Sequence, residues 1–433
     1  MPIAFTVLLL IGTNFLYAGP GFAPALPVRI AASADPNSVA VGDVNGDGKL
    51  DLIAPDVGAG AVKVFTNSGD GHFTASPASY PVGNTPYWVT LAVIQPGGKP
   101  AIICANANGN TLSVLTNNGS GIFGSNATYN VGNHPQCVVT ADINGDSNLD
   151  LICANYNDNT LSVLTNNGGG IFGSNATYIV GGQPYSVTAA DINGSGRPAL
   201  ISANYNPANS LTILTNNGGG IYSSNSTIYS AGIGSESVIA ADIDGSGKLA
   251  LIVASYYSQG LLVFKNNGSG AFTYNGLLNA GTQVTSCLAA DLNGDGKVDL
   301  ISANNNGNSL TIFTNNGGGI FNSNSTISAG VYPVAVAAGD LNHDGSQDLI
   351  SVNLFDNNLS IFLNTMVYAV NIKHAGSGVT VSWPSVWAGW TLEQSANLLA
   401  TNWLASTGVL DDGTNKNLTV TSPAGNLFFR LRQ

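Results

Sequence analysis

The sequence predicts an all-β fold, a seven-bladed β-propeller followed by a small C-terminal β-sandwich. Three observations predict it. A short loop, acidic in six of its seven copies, recurs at nearly constant spacing, opening at Asp43, Val93, Asp142, Asp191, Asp242, Asp291 and Asp340. An aromatic residue keeps the same beat at Phe73, Phe123, Phe172, Tyr222, Phe272 and Phe321, with copies of T-N-N-G starting at Thr116, Thr165, Thr215 and Thr314. No window of a dozen residues carries helical periodicity. Four short strands in each repeat of about 50 residues is the pattern of propeller blades.

The first 25 residues come before the repeats. The apolar run MPIAFTVLLLIGTNFLYA is too short for a confident bilayer span and reads as a signal peptide, although it lacks a basic n-region. Cleavage near Ala18 or Ala25 is expected, and with it a secreted or cell-surface protein. No later stretch is long and apolar enough to span a membrane.

Residues 26–365 form the expected propeller. In the third repeat the strands read as CVVTAD (137–142), LDLICAN (149–155), TLSVLTN (160–166) and a fourth around NATYIVG (175–181), separated by Asn, Asp and Gly clusters. The seventh copy stops at NLSIFLNT (358–365) without a fourth strand. The N-terminal LPVRIAASADPNS (26–38) resembles the missing piece, so residues near 27–33 are expected to complete the last blade. That closure removes two open sheet edges.

From residue 366 the period ends. Four of the five tryptophans, Trp383, Trp387, Trp390 and Trp403, lie in this tail. VTVSW (379–383), WTLEQS (390–395), NLTVTS (417–422) and NLFFRLR (426–432) read as strands of a small β-sandwich of the fibronectin type III kind, serving as a cap or in recognition.

Charge is scarce and concentrated. Only 8% of residues are charged, yet the formal net charge is −12, and 15 of the 24 acidic residues lie in the seven loop segments. Twelve scattered Lys and Arg exclude a nucleic-acid interface, which needs basic clusters. Cys104, Cys137, Cys153 and Cys287 make no disulfide framework. They are expected as buried free thiols, or with one bridge joining Cys137 to Cys153 or Cys104.

The loops carry the chemistry. Counting from the opening residue, side-chain oxygens fall at positions one, three, five and nine, with a backbone carbonyl expected from position seven. Four copies are complete: Asp43, Asn45, Asp47 and Asp51; Asp142, Asn144, Asp146 and Asp150; Asp291, Asn293, Asp295 and Asp299; Asp340, Asn342, Asp344 and Asp348. Their seventh-position carbonyls belong to Lys49, Asn148, Lys297 and Ser346. Hard cations such as Ca²⁺ take all-oxygen ligand sets from short loops of this kind. About four calcium ions are therefore expected, which would bring the net charge from −12 to −4. The copies at Asp191 and Asp242 end in Ala199 and Ala250, so weak or absent binding is expected there. The copy at Val93 has no carboxylate.

This arrangement strongly resembles the FG-GAP/VCBS repeat family, whose relatives include the integrin α-subunit propellers. The resemblance rests on D-x-N-x-D-G-x-x-D, then L-I-x-A-N, then T-L-S-V-L-T-N-N-G-G-G-I-F, and spans roughly residues 27–365. It implies calcium at the four complete loops, between the first two strands of a blade. It does not imply one function, since members include adhesion proteins, lectin-like proteins and some polysaccharide-degrading enzymes. The C-terminal W-T-L-E-Q-S…W…F-F-R-L-R pattern also resembles a terminal module of exported bacterial proteins.

Catalysis needs titratable groups held together. Four histidines, two glutamates (Glu236 and Glu393) and no nucleophile motif make a lyase or glycosidase the least favoured reading. A non-catalytic, monomeric adhesion or carbohydrate/protein-binding module is favoured, ahead of a structural surface scaffold. The ligand would be a glycan or an extracellular protein surface. The connections NYNDNT (155–160), NYNPANS (204–210) and SYYSQG (255–260) place Tyr156, Tyr205, Tyr256 and Tyr257 at matching points, so one rim of the ring is expected to be aromatic unless these rings simply pack.

Overall fold

The computed structural model describes residues 21–124, 127–206, 209–228, 231–365, 371–375, 378–384, 391–395, 404–411, 415–421 and 428–432. The repeats become seven four-stranded antiparallel sheets in chain order, called blades 1–7 here. Blade 3 runs from an inner strand, Pro135–Ala141, through Asp150–Asn155 and Thr160–Asn166 to an outer strand, Phe172–Ile179. The outer strand starts earlier than its apolar run suggests, because a register shift between Leu164 and Asn166 brings Phe172 opposite Asn166.

Burial explains the sequence pattern. The second strands, such as Asp51–Asp56, Asp150–Asn155 and Asp299–Asn304, are buried at every residue. Both of their faces are covered by neighbouring blades, and strands buried on both sides read as continuous apolar runs. Outer strands alternate instead, as Phe272–Asn279 does, because one face meets solvent.

Closure is as expected. Leu26–Arg29 pairs antiparallel with Asn358–Phe362, Leu26 opposite Ile361 and Arg29 opposite Asn358, as the outer strand of blade 7. The engagement begins before residue 26. Phe22 bridges Asn364, the Ala23 N–H donates to the Leu363 carbonyl at 2.8 Å, and Phe22 and Ala25 pack on the core shared by blades 6 and 7. A cut at Ala25 would remove these contacts. Ala18 and the rest of the apolar leader lie outside the described residues.

Two rings of asparagine stitch the blades. The first Asn of each T-N-N-G stretch, or its counterpart, donates its side-chain amide to the second-position carbonyl of the preceding blade's acidic loop. Asn117 reaches Val44, Asn166 reaches Ile94, Asn216 reaches Ile143 and Asn315 reaches Ile243, each at 2.8 Å. At the other end, the hairpin residues Asn110, Asn159, Asn209, Asn308 and Asn357 accept the N–H of the residue entering the next blade. The first of these rings is turned inward, with Asn67, Asn166, Asn216, Asn315 and Asn364 buried.

The beat of aromatics has a packing role. Tyr80 meets Phe123, Tyr129 meets Phe172 and Tyr178 meets Tyr222 edge-on across successive blades, with centroids 5.2–5.4 Å apart. Ile228 replaces the tyrosine in blade 4. A cavity of about 610 Å³ follows beside it, lined by Ile228, Ile233, Phe272 and Tyr274 among others. All four cysteines are free and buried, so the bridge considered from sequence does not form.

The chain divides into two compact units, the propeller being Phe22–Leu292 with Lys297–Asn364. Within the C-terminal unit, Asn371–Ala375, Gly378–Pro384, Asn415–Thr421 and Leu410–Asp411 form one sheet. Leu404–Ala405, Thr391–Ser395 and Phe428–Arg432 form a second. Val381, Trp383, Leu392 and Leu418 are its buried apolar side chains among the described residues. Trp387, Trp390 and Trp403 lie outside them. No helix among the described residues is long and apolar enough to cross a membrane.

Candidate functional site

Each blade offers two ends, and the chemistry differs between them. Inner strands run toward the acidic loops at one end and start at the other, about 20 Å away for seven residues of strand.

At the loop end the carboxylates are tied to backbone amides. Asp43 accepts the N–H of Gly46 (2.6 Å) through Oδ1 and of Gly48 (2.9 Å) through Oδ2. Asp142 repeats this with Gly145 and Ser147, and Asp340 accepts from Asp344 and Gly345. Asn45, Asn144, Asn293 and Asn342 accept the N–H of Asp47, Asp146, Asp295 and Asp344. The fifth-position carboxylates of Asp47, Asp146 and Asp344 then accept from Lys49, Asn148 and Ser346.

The ninth-position carboxylates are wholly buried. Asp51, Asp150, Asp299 and Asp348 each accept one N–H from the second loop position and one from the third-strand asparagine. For Asp348 these come from Leu341 (2.8 Å) and Asn364 (2.7 Å). For Asp299 they come from Leu292 (3.1 Å) and Asn315 (2.8 Å). Burial, and secondarily the neighbouring loop carboxylates, raise the pKa of Asp51 and Asp150 and push Asp348 up to about 6. The incomplete loops fold alike, since Asp191 accepts from Ser195 and Gly196 and Asp242 from Gly245 and Gly247.

The donor set suits a hard divalent cation: oxygen only, three mutually repelling carboxylates per complete loop, and a second lone pair on each oxygen beyond its amide bond. Among the described residues, no three His, Cys, Asp or Glu side chains converge to ligating distance. The loop amides hold them instead.

At the opposite end the inner strands open on a cavity of about 290 Å³. Aligned repeats place Asn37, Tyr87, Gln136, Tyr185, Glu236, Thr285 and Val334 at one position, the sixth before each loop. Six of these seven line the cavity, Gln136 being the exception. A second ring follows the second strands and adds Tyr156, Tyr205, Tyr256, Asn305 and Leu354. The tyrosines of the two rings touch one another. Tyr185 lies 6.0 Å from Tyr156 and 6.2 Å from Tyr205, and Tyr205 lies 6.5 Å from Tyr256. The hydroxyls of Tyr87 and Tyr185 meet at 2.6 Å. Burial raises the pKa of Tyr87, Tyr156, Tyr185, Tyr205 and Tyr256 above the usual phenol range, and the Glu236 carboxylate adds to the effect.

The backbone around this mouth is strained. Thr85, His134, Gln183, Gln283 and Tyr332, each one residue before an inner strand, have φ of 56–64°. Non-glycine residues rarely hold that conformation, and such strain concentrates at functional sites. Sequence reasoning singled out Tyr156, Tyr205, Tyr256 and Tyr257, and the structure brings them together. It missed Tyr87, Tyr185, Tyr332 and Glu236, which an alignment of the inner-strand starts would have revealed.

The family comparison fits this repeat geometry. Residues 98–153, 142–202, 191–253, 242–302 and 291–351 match the FG-GAP-like repeat, and residues 36–65 match the FG-GAP repeat. The chain belongs to the FG-GAP repeat family. A comparison with curated protein sequences returns no match. Among solved structures, this FG-GAP protein is similar to BBS1N in complex with ARL6DN (TM-score 0.57, 13% identity, 80% of this chain and 98% of that one). It is also similar to virginiamycin B lyase from Staphylococcus aureus (TM-score 0.55, 14% identity, 80% and 100%). A putative 6-phosphogluconolactonase from Bacteroides uniformis matches as well (TM-score 0.56, 16% identity, 71% and 90%). At these identities the likeness is one of fold.

Proposed function

We propose that this FG-GAP propeller is an exported, monomeric, non-catalytic binding module that takes a saccharide at its tyrosine-lined mouth. The observation that carries this reading is the cavity itself, lined by six tyrosines, Tyr87, Tyr156, Tyr185, Tyr205, Tyr256 and Tyr332, and by the hydroxyl residues Ser186, Ser237, Thr285 and Ser286. Tyrosine faces stack on sugar rings, and serine, threonine and tyrosine hydroxyls both donate to and accept from sugar hydroxyls. One glutamate stands in the cavity without a second carboxylate beside it, so the paired acids of a glycosidase are lacking among the lining residues.

Calcium belongs to the other end. Asp43, Asp47 and Asp51, with the equivalent residues of the other three complete loops, would hold one ion each. The ion supplies positive charge that offsets carboxylate repulsion and stiffens the turn between inner and second strand. On this reading calcium supports the ring and does not touch the ligand.

A glycan array, run with the full chain in calcium and in EGTA, tests the proposal. Binding of a defined glycan class that is lost in Tyr256→Ala supports it. Absence of glycan binding in both conditions, with the protein folded, would overturn it.

A further inference from the structure

Glu236 occupies a position where the other repeats carry Asn, Tyr, Gln, Thr or Val. It is the single charged side chain lining the mouth, it is 7% exposed, and no hydrogen bond or ion pair engages it among the described residues. A buried acid without a partner is costly to ionise, and such groups mark places where a ligand supplies the missing charge. Asn305 adds a second unmet acceptor. It lines the same cavity at 1% exposure, its amide donates to the Pro333 carbonyl, and its Oδ1 has no partner. Two acceptors without donors call for a ligand that donates several hydrogen bonds. Tyr185, Tyr205 and Tyr256 line the same cavity, and aromatic faces attract cations.

We infer that the mouth selects a protonated amine carried on a sugar, its ammonium group seated against Glu236 and Asn305. This inference rests on the saccharide reading above and narrows it. An ammonium brings three donors and one positive charge, matching two open acceptors and one uncompensated carboxyl. Burial alone pushes Glu236 up to about 8, so near neutral pH the carboxyl is largely protonated, and it ionises as a cation binds. The acidic chain, at −12, also favours approach of a cation.

The test is calorimetric titration of the full chain, near neutral pH, with a glucosamine tetramer, its fully N-acetylated counterpart and tetramethylammonium. The glucosamine tetramer should bind about tenfold more tightly than the acetylated one, and Glu236→Gln should remove that preference while melting at least as high as the parent. Asn305→Leu should weaken the glucosamine tetramer more than the acetylated one. Equal binding of both tetramers, unaffected by Glu236→Gln, overturns the amine selectivity and leaves the saccharide reading standing. Binding of tetramethylammonium with neither tetramer supports the cation seat and overturns the sugar. No binding by any of the three overturns both.

Discussion

The side-chain amide of Asn67 donates to the main-chain oxygen of Leu341 at 2.8 Å, across 274 residues of chain. It joins blade 1 to the acidic loop of blade 7. The same amide also reaches Leu50 in its own blade at 3.0 Å. Asn364 makes the equivalent bond to Leu292, and Asn266 to Ile192. Ring closure is therefore built from the same contact that joins every other pair of neighbours.

Asn67→Ala should cost about 2–3 kcal/mol, since it removes three side-chain bonds and leaves the Leu50 and Leu341 carbonyls and the Gly69 N–H without these partners. Asn216→Ala, with the same 2.8 Å contact to Ile143, should cost a similar amount. Urea denaturation of both variants checks this. If neither midpoint moves, the stitches do not hold the ring.

Calcium should raise the melting temperature and EGTA should lower it. A ligand at a hundredfold excess over Kd adds about 3 kcal/mol per site. Direct titration should count about four tight sites, because Ala199 and Ala250 replace the ninth-position carboxylate in two loops and Val93 opens a third without any. A melting curve indifferent to both reagents would remove calcium from the account.

Stability should also respond to pH through Glu236. Its folded-state pKa of about 8 exceeds the ordinary 4.5, so the folded state binds the proton more tightly. Its contribution is fully present below about 4.5 and is lost as pH rises through 8, on the order of a few kcal/mol. Asp51, Asp150 and Asp348 act with the same sign at lower pH, Asp348 through about 6. Between about pH 6 and 9 the parent should lose stability while Glu236→Gln stays nearly flat. Parallel pH profiles for the two proteins would contradict the assignment.

The four cysteines should be silent toward a thiol reagent until the chain unfolds. Burial pushes the Cys137 and Cys287 thiols up to about 12, and Cys104 and Cys153 are wholly enclosed. Thiolate is the reactive species, so both its scarcity and its inaccessibility slow the reaction. Titration with a chromogenic disulfide in native buffer and in denaturant checks this, and fast native labelling would refute it.

Much of the fold was legible because a repeat writes the same physics seven times. The run LDLICAN announces a strand buried on both faces, and the missing fourth strand after NLSIFLNT announces closure by the N-terminal segment. The role of T-N-N-G was not legible. A turn asparagine and an asparagine reaching 72–74 residues back to another blade look alike in sequence. The same limit applied to NYNDNT, where Asn155 is buried and Asn159 stitches blades.

The sequence by itself determined the repeat, the strand pattern and the loop chemistry, because each depends on contacts or periodicities within about 50 residues. The tertiary structure alone decided which residues share the mouth. Tyr87, Tyr185 and Glu236 are 98 and 51 residues apart in succession and become neighbours only when the ring closes. Burial then turns Glu236 from an ordinary acid into an unsatisfied one, since desolvation is a property of the assembled ring and not of any segment.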